Sequence, residues 1–186
     1  MKALKDQIAI VTGASRGIGV HIAETLASHG VHLSLAARDE DALEAVAETL
    51  RAQYKVRILV VPTDVSQRSH LQRLVQRTRE TLGDVDLLIN NAALERMEDY
   101  IESDWDQTAM DLAVNVQGPM ELTRLVLPGM LERNRGHIVN LASLAGFGAH
   151  PHAWSALNAG ARRGGGLGPS AARSPPARLA LPQTPH

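Results

Sequence analysis

The sequence predicts an α/β fold, a doubly wound parallel sheet with helices on both faces that is incomplete on its C-terminal side. Short apolar runs alternate with segments of helical period, the pattern of parallel strands connected by helices. A glycine-rich loop separates the first apolar run from the first helical segment, as in many nucleotide-binding α/β proteins. Beyond Pro151 the alternation stops, and proline and glycine become frequent.

The elements are predicted in a regular order. Strands are expected at 8–11, 31–36, 56–61, 85–89 and 137–141. Helices are expected from the glycine loop to Gly30, from Asp39, from Ser66, near 103–113 and over 114–131. Asp39 and Ser66 are predicted as N-caps because short polar side chains accept the first free helical amides. Gly136 is predicted to stop the last helix.

Length and composition favour one domain, which we predict at 1–159, followed by a disordered tail at 160–186. The 186 residues suffice for one sizeable core. The tail holds five Gly and five Pro without a sustained period. The chain has no cysteine, no apolar run of membrane-spanning length and no signal-peptide pattern. We therefore expect a soluble, cytoplasmic protein without a membrane partner or a metal site.

The charge is unevenly distributed. Residues 1–132 hold 13 Lys and Arg against 20 Asp and Glu, whereas residues 133–186 hold six Arg and no acid. A basic arm of this kind can bind nucleic acid. Because the tail lacks interleaved aromatic residues, we instead interpret it as unconstrained sequence, and we predict no nucleic-acid partner.

The glycine loop predicts an anion-binding turn. Residues 12–19 read Thr-Gly-Ala-Ser-Arg-Gly-Ile-Gly between a strand and a helix. In this reading Gly13 allows the sharp turn, Gly17 lets the backbone approach a pyrophosphate, and Gly19 lets the helix pack closely. The free amides and the dipole of the helix terminus favour an anion. The predicted cofactor contacts of the loop are Gly13, Ser15, Arg16, Gly17, Ile18 and Gly19.

Over residues 5–150 the chain resembles the short-chain dehydrogenase/reductase family. The resemblance rests on Thr12 to Gly19, Asp64-Val65, Asn90-Asn91-Ala92-Ala93, Asn115 and Asn140 to Ser143, in that order. It implies a Rossmann fold and hydride transfer between NAD(P)(H) and an alcohol or carbonyl. It also implies that Asp64 and Val65 flank the adenine and that Asn91 and Ala92 lie along the ribose. Ala93 stands where the family usually has glycine, which requires a negative φ there.

The second strand favours NADP(H) over NAD(H). NAD-binding folds place a carboxylate at the end of this strand, where it binds the ribose 2′-hydroxyl. The matching position is Ala37, followed by Arg38, while Arg16 lies in the glycine loop. Two guanidiniums suit a 2′-phosphate. Asp39 is the opposing signal, because a shift of one residue would supply a carboxylate.

The resemblance assigns catalytic roles to Ser143 and Asn115 but leaves the site half complete. The family uses a Tyr-x-x-x-Lys pair as the proton donor and its activating cation. Here Trp154 and Asn158 stand at those positions, and neither can replace them. His150 or His152 could act as a substitute acid, although surface histidines are the simpler interpretation. The missing pair makes turnover by this polypeptide doubtful.

Three interpretations follow. The preferred one is an NADP(H)-dependent short-chain oxidoreductase with a shortened or frame-shifted C-terminus, acting on a small alcohol or carbonyl if active. The second is a non-catalytic dinucleotide-binding protein, or a truncated isoform that pairs with a full-length partner. Helix 114–131 would then be the docking surface, as it would be in a homo-oligomer. The third is a nucleic-acid or surface binder that uses the arginine-rich tail.

Overall fold

The computed structural model describes residues 4–95 and 104–143. Within them the strands are β1 Ile8–Thr12, β2 His32–Ala37, β3 Ile58–Pro62, β4 Leu87–Asn90 and β5 His137–Asn140. The helices are α1 Ile18–Ser28, α2 Glu40–Gln53, α3 Arg68–Thr81, α4 Trp105–Leu112 and α5 Gly118–Glu132. A π-helical turn, Ala113–Gln117, joins α4 to α5. The predicted tail lies outside the described residues.

The five strands form one parallel sheet in the order β3-β2-β1-β4-β5. The chain winds outward from β1 through β2 to β3, then returns to the other side of β1 for β4 and β5. This order confirms the predicted doubly wound α/β fold. The direction of winding reverses between β1 and β4, and ligands of such sheets bind outside the carboxyl ends of the strands at that point.

Alternate residues of the strands face two separate layers of helix. Ala9 and Val11 of β1 pack into one apolar cluster with the buried faces of α1 and α2. Ile10, between them, packs into a second cluster with α3 and α5. Because side chains alternate along a strand, a strand covered on both faces reads as the continuous apolar run seen in the sequence.

The two edges of the described sheet differ in how their outward backbone groups are satisfied. At β3, Arg51 of α2 donates to the Ile58 carbonyl and Arg73 of α3 donates to the Pro62 carbonyl, both at 2.8 Å. Pro62 itself offers no amide to a further strand, which suits an edge position. Among the described residues β5 pairs only with β4, and its Val139 is 44% exposed.

The predicted N-caps had different outcomes. Asp39 is confirmed, since its carboxylate accepts the Ala42 amide at 3.0 Å. The prediction for Ser66 was wrong. Helix α3 begins at Arg68, its N-cap residue is Gln67, and the Gln67 side chain makes no capping hydrogen bond. The Ser66 hydroxyl instead donates to the Asp64 carboxylate at 2.7 Å. A charged acceptor two residues away competes for the hydroxyl.

The last helix ends within one residue of its predicted end, but Gly136 is not the residue that stops it. That helix ends at Glu132, and the left-handed residue after it is Asn134, with a φ of 47°. Asparagine can adopt this conformation as a glycine does. Gly136 serves another purpose, because a Cβ there would overlap the Met130 side chain. Its small size lets the chain pass close to α5 on its way into β5.

No helix of the described residues is both long enough and apolar enough to cross a membrane.

An ion-pair cluster ties α3 to α5. The Glu121 carboxylate of α5 accepts from the Arg68 guanidinium of α3 at 2.9 Å and from Arg124 at 3.0 Å. Hydrogen bonds from Arg124 and Arg68 lower the pKa of Glu121 from 4.5 to about 2. A carboxyl whose pKa is depressed by folding stabilises the fold above its unfolded pKa, and the contribution is lost as the pH falls towards the folded value.

We therefore expect the free energy of unfolding to fall less steeply with decreasing pH in Glu121→Gln than in the parent chain. The parent chain should lose stability between pH 4.5 and about 2 as Glu121 takes up its proton, and the variant should lack that component. Urea unfolding midpoints across this pH range measure the difference. Glu132→Gln, an exposed glutamate at the end of the same helix, is the control. Acid limbs of equal slope in the parent and Glu121→Gln would contradict the prediction.

Candidate functional site: the carboxyl ends of β1 and β4

The loop between β1 and α1 depends on its glycines. Gly13 has a φ of +66°, and a Cβ there would lie 2.8 Å from Asn91 Nδ2 and 3.0 Å from the Ala92 Cα. Gly17 has a φ of +58° with a ψ of −135°, a conformation essentially restricted to glycine. A Cβ on Gly19 would overlap the Gly13 carbonyl oxygen. The loop is therefore folded tightly upon itself and against the end of β4.

The N-terminus of α1 is open to an anion. Its N-cap, Gly17, has no side chain to bond the first amides, and the first turn holds no acidic residue. By contrast, α2 has the Asp39 cap and Glu40 and Asp41 in its first turn. Among the described residues other than its chain neighbours, nothing lies within 4 Å of the position that a Gly17 Cβ would take. In the described part of the chain, the positive end of the α1 dipole thus has open space beside its N-cap and carries no carboxylate of its own.

Thr12 connects this loop to the end of β4. Its side chain is buried, and its hydroxyl accepts the backbone amides of Asn91 and Ala92, each at 3.0 Å. The same hydroxyl donates to the Ile89 carbonyl at 3.2 Å. One side chain therefore satisfies three backbone groups beyond the last bonds of the β1–β4 ladder.

Asn91 completes this connection from the other side. Its side-chain amide donates to the Thr12 carbonyl at 2.9 Å and to the Gly13 carbonyl at 3.2 Å. The bonds hold the first turn of the glycine loop beside Ala92. At Ala93 the backbone avoids the left-handed region, which only Asp6 and Asn134 enter among the described non-glycine residues. The expected negative φ at Ala93 is confirmed.

Ala37 and Arg38 at the end of β2 supply no carboxylate, and Arg16 belongs to the adjacent glycine loop, whose Ala14 amide donates to the Ala36 carbonyl at 3.3 Å. Ala37 ends the strand, and its carbonyl accepts the Thr63 amide at 2.7 Å. Arg38 and Arg16 are exposed, and within residues 4–95 and 104–143 neither side chain forms a hydrogen bond or an ion pair. The Asp39 carboxylate is engaged as the cap of α2. Asp39 is therefore committed, Glu40 and Asp41 belong to the first turn of α2, and the Arg38 and Arg16 guanidiniums have no hydrogen-bond or ion-pair partner among the described residues.

The β3–α3 connection holds Asp64 in a fixed carboxylate geometry. Oδ1 of Asp64 accepts the Ser66 amide at 2.9 Å and the Ser66 hydroxyl at 2.7 Å. Burial raises the pKa of Asp64, but these two bonds, together with the charge of the nearby Arg38 guanidinium, outweigh it and hold the pKa below its ordinary value. Val65 is buried in the apolar cluster of α3 and α5, so a ligand would meet its backbone rather than its side chain.

Asn115 lies in the π-helical turn between α4 and α5, where the sequence predicted regular helix. Its side-chain Oδ1 accepts the Leu94 amide and its Nδ2 donates to the Leu94 carbonyl, both at 2.9 Å. The Gly118 amide donates to the Ala113 carbonyl, a five-residue step that defines the turn. Such turns are frequent at functional sites. In this structure the Asn115 amide secures the segment that follows β4.

Ser143 is exposed three residues beyond β5, on the same edge of the sheet. A side-chain pair connects this strand to its neighbour, since Asn90 Nδ2 donates to Asn140 Oδ1 at 2.8 Å. Trp154, Asn158, His150 and His152 lie outside the described residues. The structure thus brings Gly13, Gly17, Gly19, Asn91 and Ala92 together around the end of β1. Arg38 and Asp64 lie together at the neighbouring end of β2 and β3.

Comparison with known proteins assigns the architecture. Residues 7–159 match the family described as short chain dehydrogenase. The chain belongs to the short-chain dehydrogenase family. A metagenomic short-chain oxidoreductase whose crystal structure was determined in complex with NADP is similar to it, with 33% sequence identity and a TM-score of 0.79. That similarity covers 86% of this chain and 73% of the other.

Relatives of known sequence extend the comparison. An uncharacterised oxidoreductase of Staphylococcus saprophyticus is 39% identical over 147 residues, which are 79% of this chain and 63% of the relative. An uncharacterised oxidoreductase of Staphylococcus aureus is 39% identical over 150 residues, 79% of this chain and 62% of the relative. The chain thus matches less than two thirds of the length of these oxidoreductases.

Sequence reasoning missed three contributors to this short-chain dehydrogenase site. Thr12 was read only as the start of the glycine motif, although its buried hydroxyl connects the two central strands. The sequence pattern predicts Ser66 only as a helix cap and His70 only as a residue within a helix. The imidazole of His70 accepts the Asp64 amide at 3.2 Å. Among the described residues no group of three or more His, Asp or Glu side chains could hold a metal ion.

The Thr12 connection predicts a specific loss of stability. Thr12→Val keeps the shape of the side chain but removes the acceptor of two amides, so we expect a cost of about 2–3 kcal/mol in the free energy of unfolding. Chemical denaturation measures it. Thr12→Ser, which keeps the hydroxyl, should lose less. Thr49→Val removes an exposed hydroxyl that bonds only within its own helix and should change little. Equal stability of Thr12→Val and the parent would contradict the assigned role.

Proposed function

We propose that this chain binds NADP(H) as a short-chain oxidoreductase does, for hydride transfer between the nicotinamide and an alcohol or carbonyl substrate. The observation that carries the proposal is the glycine loop at α1, which ends in an uncapped helix N-terminus beside open space. A pyrophosphate placed there would meet free amides and the positive end of the helix dipole. The NADP complex of the similar metagenomic oxidoreductase supports this assignment.

The described residues fit the remaining parts of a dinucleotide. Ser15, Arg16, Ile18 and the glycines would surround the phosphates. Asp64 would accept from the exocyclic amine of the adenine, and the Val65 backbone would lie beside the ring. Asn91 and Ala92, fixed by Thr12, would lie along the ribose. The resemblance to the family supplies these roles, and the Ser66 bonds that hold Asp64 ionised support the role of an acceptor.

The preference for NADP(H) rests on three features of the end of β2. Ala37 supplies no carboxylate to the ribose 2′-hydroxyl, and Asp39 is engaged as the cap of α2. Arg38 is exposed and close enough to Asp64 to lower the pKa of its carboxyl. With Arg16 it would give a 2′-phosphate charge-assisted hydrogen bonds.

The proposal for the chemistry is narrower. Ser143 would hydrogen-bond the substrate oxygen, and Asn115 would support the proton relay of the family through the π-helical turn. Trp154 and Asn158 stand at the positions of the proton-donating tyrosine and its lysine. Because an indole is no acid near neutral pH and an amide carries no charge, we expect weak turnover or none. The second candidate function is therefore dinucleotide binding without catalysis.

Cofactor titration tests the proposal. The purified chain should bind NADPH more tightly than NADH, as measured by cofactor fluorescence or calorimetry. Arg38→Ala should weaken NADPH binding by about 10-fold or more, because it removes charge-assisted bonds to the 2′-phosphate, and should leave NADH binding nearly unchanged. Arg77→Ala, an exposed arginine on α3, is the matched control.

Two outcomes would count against separate parts of the proposal. An Arg38→Ala variant that kept its NADPH affinity would contradict the proposed preference for NADP(H). A chain that bound neither cofactor would contradict the proposed function. Turnover is assayed in the same samples with a panel of small carbonyl compounds. Losing a general acid typically lowers a rate by about 10²–10⁴, so NADPH oxidation at ordinary enzymatic rates would contradict the expectation of weak turnover.

We also propose that α5 is the surface through which two copies of the chain associate. Met120 and Leu131 on this helix are 66% and 69% exposed, and Leu127 lies between them on the same face. These apolar side chains lie on one face of α5, interrupted by the Arg124–Glu121 ion pair, and a second helix could cover them. The role of this helix in family members supports the choice of a second copy as the occupant.

Light scattering tests the association. The parent chain should be a dimer or larger, and Met120→Glu with Leu131→Glu should shift it to monomer, because two carboxylates would be buried without partners. Leu4→Glu changes an exposed leucine outside α5 and should not shift the mass. A parent chain that stays monomeric at high concentration would refute the proposal.

A further inference from the structure

We propose that His70 is a positioning residue for the adenine end of the cofactor. Its imidazole fixes the backbone of Asp64, and through it the carboxylate that would accept from the adenine amine. The inference rests on the proposed dinucleotide binding and adds a residue to it. The bond that carries it runs from the Asp64 amide to Nδ1 of His70, at 3.2 Å.

The Asp64 amide needs a partner because of its place in the sheet. The Thr63 amide makes the last bond of β3 to β2, donating to the Ala37 carbonyl at 2.7 Å. Successive amides of a strand point to opposite sides, so the Asp64 amide points away from β2. Since β3 is an edge strand, no further strand lies on that side among the described residues. The His70 ring supplies the acceptor that a neighbouring strand would otherwise provide.

His70 is held rigidly enough to act in this way. It lies in the first turn of α3, directly before Leu71, which is buried in the apolar cluster of α3 and α5. One turn further along, Arg73 donates to the Pro62 carbonyl at 2.8 Å. Two residues three positions apart on one helical face thus bond the last outward-facing groups of β3. The connection that carries Asp64 is anchored to the core through α3.

The bond also defines the state of the ring. Because Nδ1 accepts a hydrogen bond, the proton of the neutral imidazole is on Nε2. The carboxylate of Asp64 is oriented separately, by the Ser66 amide and hydroxyl. His70 therefore holds the backbone of the acceptor, and Ser66 sets the direction of its oxygen. Without His70 the carboxylate would keep its local bonds but lose its fixed position relative to the end of β2 and to Arg38.

Three variants separate this role from a general effect on the fold. His70→Ala removes the acceptor. His70→Asn retains one, since Oδ1 of asparagine can take the place of Nδ1. His29→Asn is the control, because the His29 ring bonds within the end of α1, to the Thr25 carbonyl and the Ser28 hydroxyl. Each chain is titrated with NADPH and with ADP, which contains the adenine but no nicotinamide. Backbone hydrogen exchange at Asp64 is followed by NMR.

We expect His70→Ala to weaken NADPH and ADP binding by the same factor, about 3- to 10-fold, as for one lost hydrogen bond. Exchange of the Asp64 amide should accelerate in His70→Ala. His70→Asn and His29→Asn should retain both affinity and protection. Equal affinity and protection in His70→Ala and the parent would overturn the inference while leaving NADPH binding intact. A parent chain that bound neither ligand would remove the proposed function and with it the role of His70.

Discussion

The buried hydroxyl of Thr12 is the interaction on which the candidate site depends. Where the hydrogen bonds between two parallel strands stop, the next backbone amides and carbonyls must bond other groups or water. Here one hydroxyl accepts the amides of Asn91 and Ala92 and donates to the Ile89 carbonyl. The Asn91 side chain then returns two bonds to the Thr12 and Gly13 carbonyls. The glycine loop and the end of β4 therefore form one rigid unit, and Gly13 must lack a side chain for them to approach so closely.

This internal satisfaction has an electrostatic consequence at α1. The loop residues are held by bonds made at the ends of β1 and β4, so the first amides of α1 are not needed to stabilise the turn. The helix has no capping side chain and no acid in its first turn, in contrast to α2, where Asp39, Glu40 and Asp41 occupy the equivalent positions. An uncapped terminus sacrifices the stability that a cap provides, about 1 kcal/mol for an ordinary helix. It leaves a positive dipole end directed at open space, which an anionic ligand can offset.

The sequence alone predicted the order of the elements, because apolar periodicity reports which faces are buried, and the burial of Ala9, Ile10 and Val11 on both sides of β1 follows directly from it. It also predicted the glycine loop and the Asp39 cap, whose chemistry is local. It did not predict features that depend on distant partners. Asn115 lies in a π-helical turn and bonds Leu94, 21 residues earlier in the chain. His70 accepts an amide that lacks a strand partner because β3 is an edge strand of the described sheet. The bond from Ser66 to Asp64 is local, but the sequence pattern did not distinguish it from a helix cap.

The binding part of the site and its chemical part are supported by different regions of the chain. The described hydrogen bonds of the Thr12 hydroxyl, the Asn91 side chain and the Asp64 connection all join residues between Thr12 and Ala92, whereas Asn115 bonds Leu94 from the turn between α4 and α5. Ser143 comes from beyond β5, the strand with the most exposed side chains in the described sheet. Trp154 and Asn158, at the positions of the proposed proton-transfer groups, lie outside the described residues, and the described bonds of the glycine loop, the Thr12 connection and the Asp64 connection are all made by other residues. The proposed cofactor binding therefore does not require the proposed catalytic groups, because the described bonds that shape the binding part are made without Ser143, Trp154 or Asn158.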